Sequence, residues 1–193
     1  MNPWFAKAVI LVGTIAMTVI RLPHMRRSVG VTVVKNRRGP LELALMALVF
    51  VGLFLPLRWV VRPGPAFAEY PLRLIPFTAG TLFIALGLWF LYRSHADLGT
   101  NWSTTLKVRE KHQLVTQGVY RRIRHPMYLA FLLQGFGQAL VVPNWVVGPF
   151  FVVAVAVVVL LRVGPEERMM LEEFGEDYEA YMARTTRIVP GLW

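Results

Sequence analysis

Two polar stretches of the chain carry the residue types that could do chemistry. One is the string H-Q-L-V-T-Q-G-V-Y-R-R-I-R-H-P-M-Y over residues 112–128, and the other is E-E-R-M-M-L-E-E-F-G-E-D-Y-E-A-Y over residues 166–181. Imidazoles, guanidinium groups and paired carboxylates can bind a charged ligand or move a proton. Each piece alone also suits a structural role, since Gly118 fits a turn and Pro126 fits the first turn of a helix. Chemistry therefore requires a fold that brings the two stretches together.

Several common kinds of site are absent from the sequence. There is no cysteine, and the four histidines are dispersed without the i, i+4 spacing of helical metal ligands. No Walker loop, GxGxxG string or nucleophile-elbow serine occurs. The formal net charge is +10, but the basic residues flank long apolar runs instead of clustering beside a soluble core. We expect neither a metal nor a nucleic-acid partner.

Five apolar segments predict an all-α integral membrane protein. The chain is 55% hydrophobic, with a mean hydropathy of +0.50. A membrane-spanning helix needs about 20 mainly apolar residues, and the segments that approach this length are residues 4–20, 43–61, 74–92, 127–142 and 145–161. Only Pro143-Asn144 separates the last two, which we predict to form a tight helical hairpin. Gln134 and Gln138 lie inside a span and are expected to hydrogen-bond to a neighbouring helix. We expect residues 1–193 to form one domain.

The distribution of Lys and Arg predicts the orientation. Six lie in the loop of residues 21–38, seven in residues 93–124 and four in the tail from Arg162, against three in residues 58–73 plus Lys7. Connections rich in Lys and Arg stay in the cytoplasm. We therefore expect the N-terminus outside, and the C-terminus and both polar stretches on the cytoplasmic face of the lipid bilayer.

The tail after Leu161 predicts an amphipathic helix at the membrane surface. Pro165 suits its first turn, and apolar side chains recur at helical spacing from Met170 to Tyr181. Seven of the eleven acidic residues lie within residues 166–179. Because cytoplasmic lipid surfaces favour basic groups, we expect these acids to face the basic 93–124 segment.

In these stretches the sequence resembles the isoprenylcysteine carboxyl methyltransferase family in its short prokaryotic form. The resemblance rests on H-x-L-V-T-x-G-x-Y (residues 112–120), R-H-P-x-Y (residues 124–128), the pair Glu166-Glu167 and F-G-x-x-Y-x-x-Y (residues 174–181). It implies a membrane-embedded methyltransferase without a Rossmann domain. It further implies S-adenosyl-L-methionine as cofactor and S-adenosyl-L-homocysteine as product.

The resemblance also implies the roles of individual residues. The cofactor site would form between residues 93–128 and 162–190. Its contacts would be His112, Gln113, Leu114, Val115, Tyr120, His125, Pro126, Met127, Tyr128 and Glu166 or Glu167. Arg162 would be the catalytic residue that binds the substrate, and Arg93 would be a second substrate contact.

The implied reaction is carboxyl O-methylation of a prenylated cysteine or a similar lipid-tailed acid. A carboxylate is already ionised at neutral pH, so it needs no general base. The methyl passes by in-line displacement, and a dry site favours the mutual neutralisation of sulfonium and carboxylate. Arg162 is the expected clamp for the carboxylate, and the lipid tail would enter sideways from the bilayer.

Three other functions fit parts of the pattern. A phospholipid amine N-methyltransferase would need a base, such as His125 or a glutamate. An NADPH-dependent sterol-reductase-type enzyme would need a basic patch for the 2′-phosphate, which Arg121, Arg122 and Arg124 could supply. The Glu166-Glu167 pair suits a sulfonium better than a phosphate. A non-catalytic membrane subunit would not explain so many polar groups at one membrane face.

Overall fold

The computed structural model of the protein describes residues 1–28, 33–36, 39–99, 107–109 and 114–189. The α-helices in this part of the chain are α1 (Pro3–Ser28), α2 (Pro40–Val61), α3 (Leu74–Leu98), α4 (Pro126–Val141), α5 (Val147–Phe174) and α6 (Glu176–Ala183). Two short strands are β1 (Val33–Asn36) and β2 (Lys107–Arg109), and single 3₁₀ turns occur at Ala66–Ala68 and Gly118–Arg121.

The predicted helical membrane architecture is confirmed. In the described ranges, α1, α2, α3 and α5 are each long and apolar enough to cross a membrane. Helix α4 has sixteen residues, which at 1.5 Å per residue is about 24 Å, shorter than a hydrocarbon core of about 30 Å. The fifth span therefore stays a prediction.

A small antiparallel ribbon adds to the helices. Strand β1 follows α1 and pairs with β2, with Val33 opposite Arg109 and Asn36 opposite Lys107. The apolar patterns that predict membrane helices carry no signal for this pair. The ribbon joins the α1–α2 connection to the connection that precedes α4.

Helices α3 and α4 pack closely because glycines face each other. A Cβ atom on Gly80 would lie 2.7 Å from the carbonyl oxygen of Gly137, and one on Gly137 would lie 2.6 Å from Ile84 Cγ1. Such positions allow close approach of backbones in membrane helices. The predicted interhelical hydrogen bond of Gln134 is present, from Nε2 to the Ile84 carbonyl at 3.1 Å. Gln138 Nε2 donates to the Val147 and Gly148 carbonyls of α5, each at 3.2 Å.

Helices α4 and α5 form the predicted hairpin around Asn144. The Asn144 side chain accepts the N–H groups of Val146 and Val147 at 3.0 Å and donates to the Pro65 carbonyl at 3.3 Å. The backbone of Trp145 also donates to Ala68 at 3.0 Å. The hairpin turn and the α2–α3 connection therefore lie at one end of the bundle, opposite the end at which α4 begins.

Pro165 does not begin a new helix, which corrects the prediction for the tail. Helix α5 continues through Pro165 to Phe174 and ends at Gly175, whose φ is +50°. Proline removes one helical hydrogen bond, but Val163, Glu167 and Met169 are all buried along the continuous helix. Burial of this face offsets the lost bond, so that Glu166 and Glu167 lie within the last long helix.

Candidate active site

A cavity of about 590 Å³ lies at the end of the bundle where α4 begins. It is within the size range of small-molecule and cofactor sites, about 300–1,000 Å³. One part of its lining is apolar and comes mainly from α2, including Val49, Phe50 and Leu53. Its charged lining residues are Arg21, Arg124, Arg162 and Glu166. The cavity thus joins an apolar wall to a charged region.

The structure brings most of the predicted site residues together. Those that line the cavity are Leu114, Val115, Tyr120, His125, Pro126, Met127, Tyr128, Arg162 and Glu166. His112 and Gln113 lie outside the described residues. Arg93 and Glu167 do not line the cavity. Among the residues that the structure describes, no group of three or more His, Asp or Glu side chains could hold a metal ion.

Arg93 forms an ion pair with a neighbour on its own helix, and its role as a substrate contact stays a prediction. Its guanidinium group donates to Asp97 Oδ1 at 3.0 Å, and 42% of the Arg93 side chain is exposed. Asp97 Oδ2 accepts the backbone N–H of Val119 at 2.9 Å. Arg93 therefore helps to position Asp97, which in turn holds the 3₁₀ turn that carries Tyr120.

Gly118 is required where this turn meets Asp97. Its φ is +61°, and a Cβ atom there would lie 2.0 Å from Asp97 Oδ2. We expect Gly118→Ala to lower the thermal midpoint in detergent by several degrees, because a positive φ alone costs about 1–2 kcal/mol and the overlap adds to it. Gly175→Ala is the matched control, since φ is +50° and nothing lies within 4 Å. Equal losses from the two variants would contradict the contact with Asp97.

Glu167 is held by three positively charged or polar partners. Its Oε1 accepts from Arg124 Nε at 2.9 Å and lies 3.4 Å from His125 Nε2. Its Oε2 accepts from Arg187 Nε at 3.0 Å. Glu167 is only 5% exposed, and a buried carboxylate is tolerated when it is paired and hydrogen-bonded. This cluster fixes α5 against the start of α4 and the segment after α6.

Glu166 differs from Glu167 in forming no ion pair with a Lys or Arg among the residues that the structure describes. Its Oε2 accepts the hydroxyl of Tyr128 at 2.8 Å, and the residue lines the cavity. The carboxylate is therefore available to a positively charged ligand.

Arg162 is paired with an acid that the sequence analysis did not single out. One terminal nitrogen of Arg162 lies 3.1 Å from Glu42 Oε1, on α2, and Glu42 is buried. The Arg162 Nε atom is also buried and has no hydrogen-bond partner in the described part of the chain. The guanidinium group therefore retains a donor for a ligand. Glu42 is the only acid within α2, which is the signal that sequence analysis could have used.

Three tyrosines close the cavity toward α6. The Tyr181 hydroxyl donates to the Tyr120 carbonyl at 2.6 Å. Burial raises the pKa of Tyr181 to about 12 and raises the pKa values of Tyr120 and Tyr178 well above the ordinary value. All three phenols are therefore protonated at neutral pH.

Fold and cavity together define a class of protein: a multi-span helical membrane protein with a small-molecule cavity at one end of the bundle. The model of the isoprenylcysteine carboxyl methyltransferase family matches residues 79–172. That region includes the R-H-P-x-Y motif and the Glu166-Glu167 pair. The predicted resemblance to this family is confirmed over residues 79–172.

Named relatives agree with the family match. A protein-S-isoprenylcysteine O-methyltransferase of Schizosaccharomyces pombe is 27% identical over 156 residues, covering 74% of this chain and 65% of the relative. Protein-S-isoprenylcysteine O-methyltransferase B of Arabidopsis thaliana is 33% identical over 117 residues, covering 58% of this chain and 57% of the relative. The matched part is thus less than two thirds of the length of either relative.

A solved structure shares the fold. It is the eukaryotic intramembrane Ras methyltransferase, an isoprenylcysteine carboxyl methyltransferase, determined without a monobody. The similarity covers 81% of this chain and 54% of the other, with a TM-score of 0.55 and 20% sequence identity. It supports the helical membrane fold.

Proposed function

We propose that the protein is an S-adenosyl-L-methionine-dependent methyltransferase that esterifies the carboxylate of a prenylated cysteine or a similar lipid-tailed acid. The observation that carries the proposal is one cavity with three complementary parts. Among the described residues, Glu166 has no cationic partner and the buried Arg162 Nε–H has no acceptor, while α2 offers an apolar wall. These parts suit a cationic cofactor, an anionic acceptor group and a lipid tail.

The cofactor fits the charged end of the cavity. Glu166 would bind its sulfonium, ammonium or ribose end, while Glu167 is occupied by Arg124 and Arg187. Tyr120, His125 and Tyr128 would line the site from the turn before α4. Leu114, Val115, Pro126 and Met127 would supply apolar contacts, and His112 and Gln113 stay predicted contacts outside the described residues. When bound, S-adenosyl-L-methionine supplies a methyl group on a positively charged sulfur.

Arg162 would orient the acceptor. Its buried Nε–H would donate to the carboxylate and hold one oxygen in line with the transferable methyl. No side chain needs to remove a proton from an ionised carboxylate. The new bond joins a carboxylate oxygen to the methyl carbon as the carbon–sulfur bond breaks, which leaves a methyl ester and neutral S-adenosyl-L-homocysteine.

The apolar wall gives the acceptor's tail a route from the bilayer. Leu22 and Met25 of α1 and Phe50 and Phe54 of α2 line the cavity and are each at least 40% exposed on the bundle surface. An apolar chain lying between α1 and α2 would therefore contact both the cavity and the lipid. The excess of Lys and Arg at this end supports a site on the cytoplasmic face, with the N-terminus outside.

The alternatives receive less support from the geometry. Arg124, one of the arginines that would bind the 2′-phosphate of NADPH, is engaged by Glu167, and Arg121 and Arg122 are exposed away from the cavity. A phospholipid amine acceptor would require a base. His125 lines the cavity, but its Nε2 lies 3.4 Å from Glu167 Oε1, and Glu167 does not line the cavity.

Calorimetry on the protein purified in detergent tests the cofactor assignment. We expect saturable binding of S-adenosyl-L-homocysteine and no binding of NADPH. Binding of NADPH without binding of S-adenosyl-L-homocysteine would contradict the methyltransferase assignment and favour a reductase. Absence of binding by both compounds would contradict a cofactor site in this cavity.

Glu166→Gln tests the residue that carries the proposal. The amide keeps the size and the contact with Tyr128 but loses the charge. Charge-assisted hydrogen bonds contribute about 1.5–3 kcal/mol, so we expect the Kd of S-adenosyl-L-methionine to rise by about 10–100-fold. Glu173→Gln is the matched control, because Glu173 is exposed on the same helix and does not line the cavity. Equal affinities in both variants would exclude Glu166 as the cofactor's partner.

A further inference from the structure

Arg21 is a cavity residue, although its sequence position at the end of an apolar run predicts only an orienting charge. It lies inside α1, five residues before the exposed Arg26. Its guanidinium carbon is 5.2 Å from the centre of the Phe131 ring on α4, a distance typical of cation–π contacts. Arg21 also lines the same cavity as Arg162 and Glu166.

Arg21 is the cavity cation without a carboxylate partner in the described part of the chain. Arg124 is balanced by Glu167, and Arg162 is balanced by Glu42. The contact recorded for Arg21 is with an aromatic ring, which offers no full negative charge. A partly buried, uncompensated charge is costly next to a membrane interior and is typical of a functional position.

The charge balance of the loaded site requires a second cation. Glu166, Glu42 and the acceptor's carboxylate bring three negative charges, while the sulfonium and Arg162 bring two positive charges. Arg162 already forms an ion pair with Glu42. A second carboxylate on the same guanidinium group would therefore leave one negative charge in excess. In a site from which water is excluded, such an excess weakens binding strongly. Arg21 supplies the missing positive charge.

We propose that Arg21 of α1 binds the acceptor's carboxylate together with Arg162, and that Phe131 holds its guanidinium group in place. This inference rests on the proposed function and assigns a substrate-recognition role to α1, which lies outside the residues that match the family model. Selectivity for an acid over its ester or amide would then come from two arginines on different helices, α1 and α5.

Arg21→Gln tests the inference, with Arg26→Gln as the matched control. Arg26 lies on the same helix, is exposed and does not line the cavity. The measured quantities are the KM for N-acetyl-S-farnesylcysteine, the inhibition constant of its methyl ester, and the Kd of S-adenosyl-L-homocysteine. In Arg21→Gln we expect KM to rise about tenfold or more, while the other two quantities stay within about twofold. Arg26→Gln should match the wild type.

The outcomes separate this inference from the proposed function. An unchanged KM in Arg21→Gln would overturn the role of Arg21. A raised Kd of S-adenosyl-L-homocysteine would also overturn this role, because it would mean that Arg21 binds the cofactor's own carboxylate. If Arg21→Gln does not fold, Arg21→Met decides: loss of the preference for the acid over the ester supports the role, and a retained preference contradicts it. A wild-type protein that neither binds the cofactor product nor forms ester would contradict the proposed function instead.

Discussion

Glu167→Ala is expected to lower the free energy of unfolding by about 3–5 kcal/mol, because it leaves buried positive charge without its partner. The Arg124 side chain is 9% exposed and donates to Glu167 Oε1 at 2.9 Å, and His125 lies beside the same oxygen. Arg187 is 38% exposed and can return to water. The loss therefore arises mainly from Arg124. Thermal unfolding in detergent, followed by circular dichroism, is the measurement.

Two further variants test whether the loss of stability in Glu167→Ala comes from the unpaired charge. Glu173→Ala removes an exposed acid from the same helix, so its thermal midpoint should stay close to that of the wild type. Adding Arg124→Met to Glu167→Ala removes both charges and should recover part of the stability, as in other buried pairs replaced by apolar groups. A Glu167→Ala protein as stable as Glu173→Ala would show that the cluster does not hold α5 to α4.

Arg162→Gln is expected to lower the turnover number by about 10²–10³-fold, the range seen when a positioned electrostatic donor is removed. The affinity for S-adenosyl-L-homocysteine should stay nearly unchanged, because Glu166 and the turn before α4 remain. The measurement is the initial rate of methyl-ester formation at saturating cofactor, with the Kd from calorimetry beside it. Loss of cofactor affinity instead would assign Arg162 to the cofactor.

A substitution at Glu42 separates an effect of Arg162 on stability from an effect on turnover. Arg162→Gln leaves the buried Glu42 without its partner, 3.1 Å away in the wild type, so the variant is also expected to lose stability. The double variant Arg162→Gln with Glu42→Gln removes both charges and should regain stability. Turnover should stay low in the double variant, and its recovery would mean that Arg162 acts only as the partner of Glu42.

The sequence predicts the elements of the fold that depend on local patterns. Apolar runs locate the long helices, and Pro143-Asn144 locates the hairpin, whose Asn144 side chain accepts two N–H groups of the next helix. The course of α5 was harder to predict. Pro165 favours a helix start in isolation, but packing on both sides of it keeps the helix continuous.

In the candidate site, too, local sequence patterns predict some residues, while others depend on tertiary contacts. Motifs near α4 and on α5 identify many of the cavity residues, because these residues lie in two compact stretches of sequence. The partner Glu42 and the lining residue Arg21 come from distant parts of the chain. No local pattern predicts a contact across more than one hundred residues, such as that of Glu42 with Arg162. The different roles of Glu166 and Glu167 also depend on tertiary contacts.

Methyl transfer to a defined acceptor tests the central claim most directly. The purified wild-type protein is incubated with methyl-labelled S-adenosyl-L-methionine and N-acetyl-S-farnesylcysteine. The carboxamide of the same compound, which lacks the carboxylate, is the matched control. The account predicts label in a base-labile ester of the acid and none in the carboxamide. Label on the amine of phosphatidylethanolamine, or no transfer to the acid by a protein that binds the cofactor, would contradict carboxyl methylation.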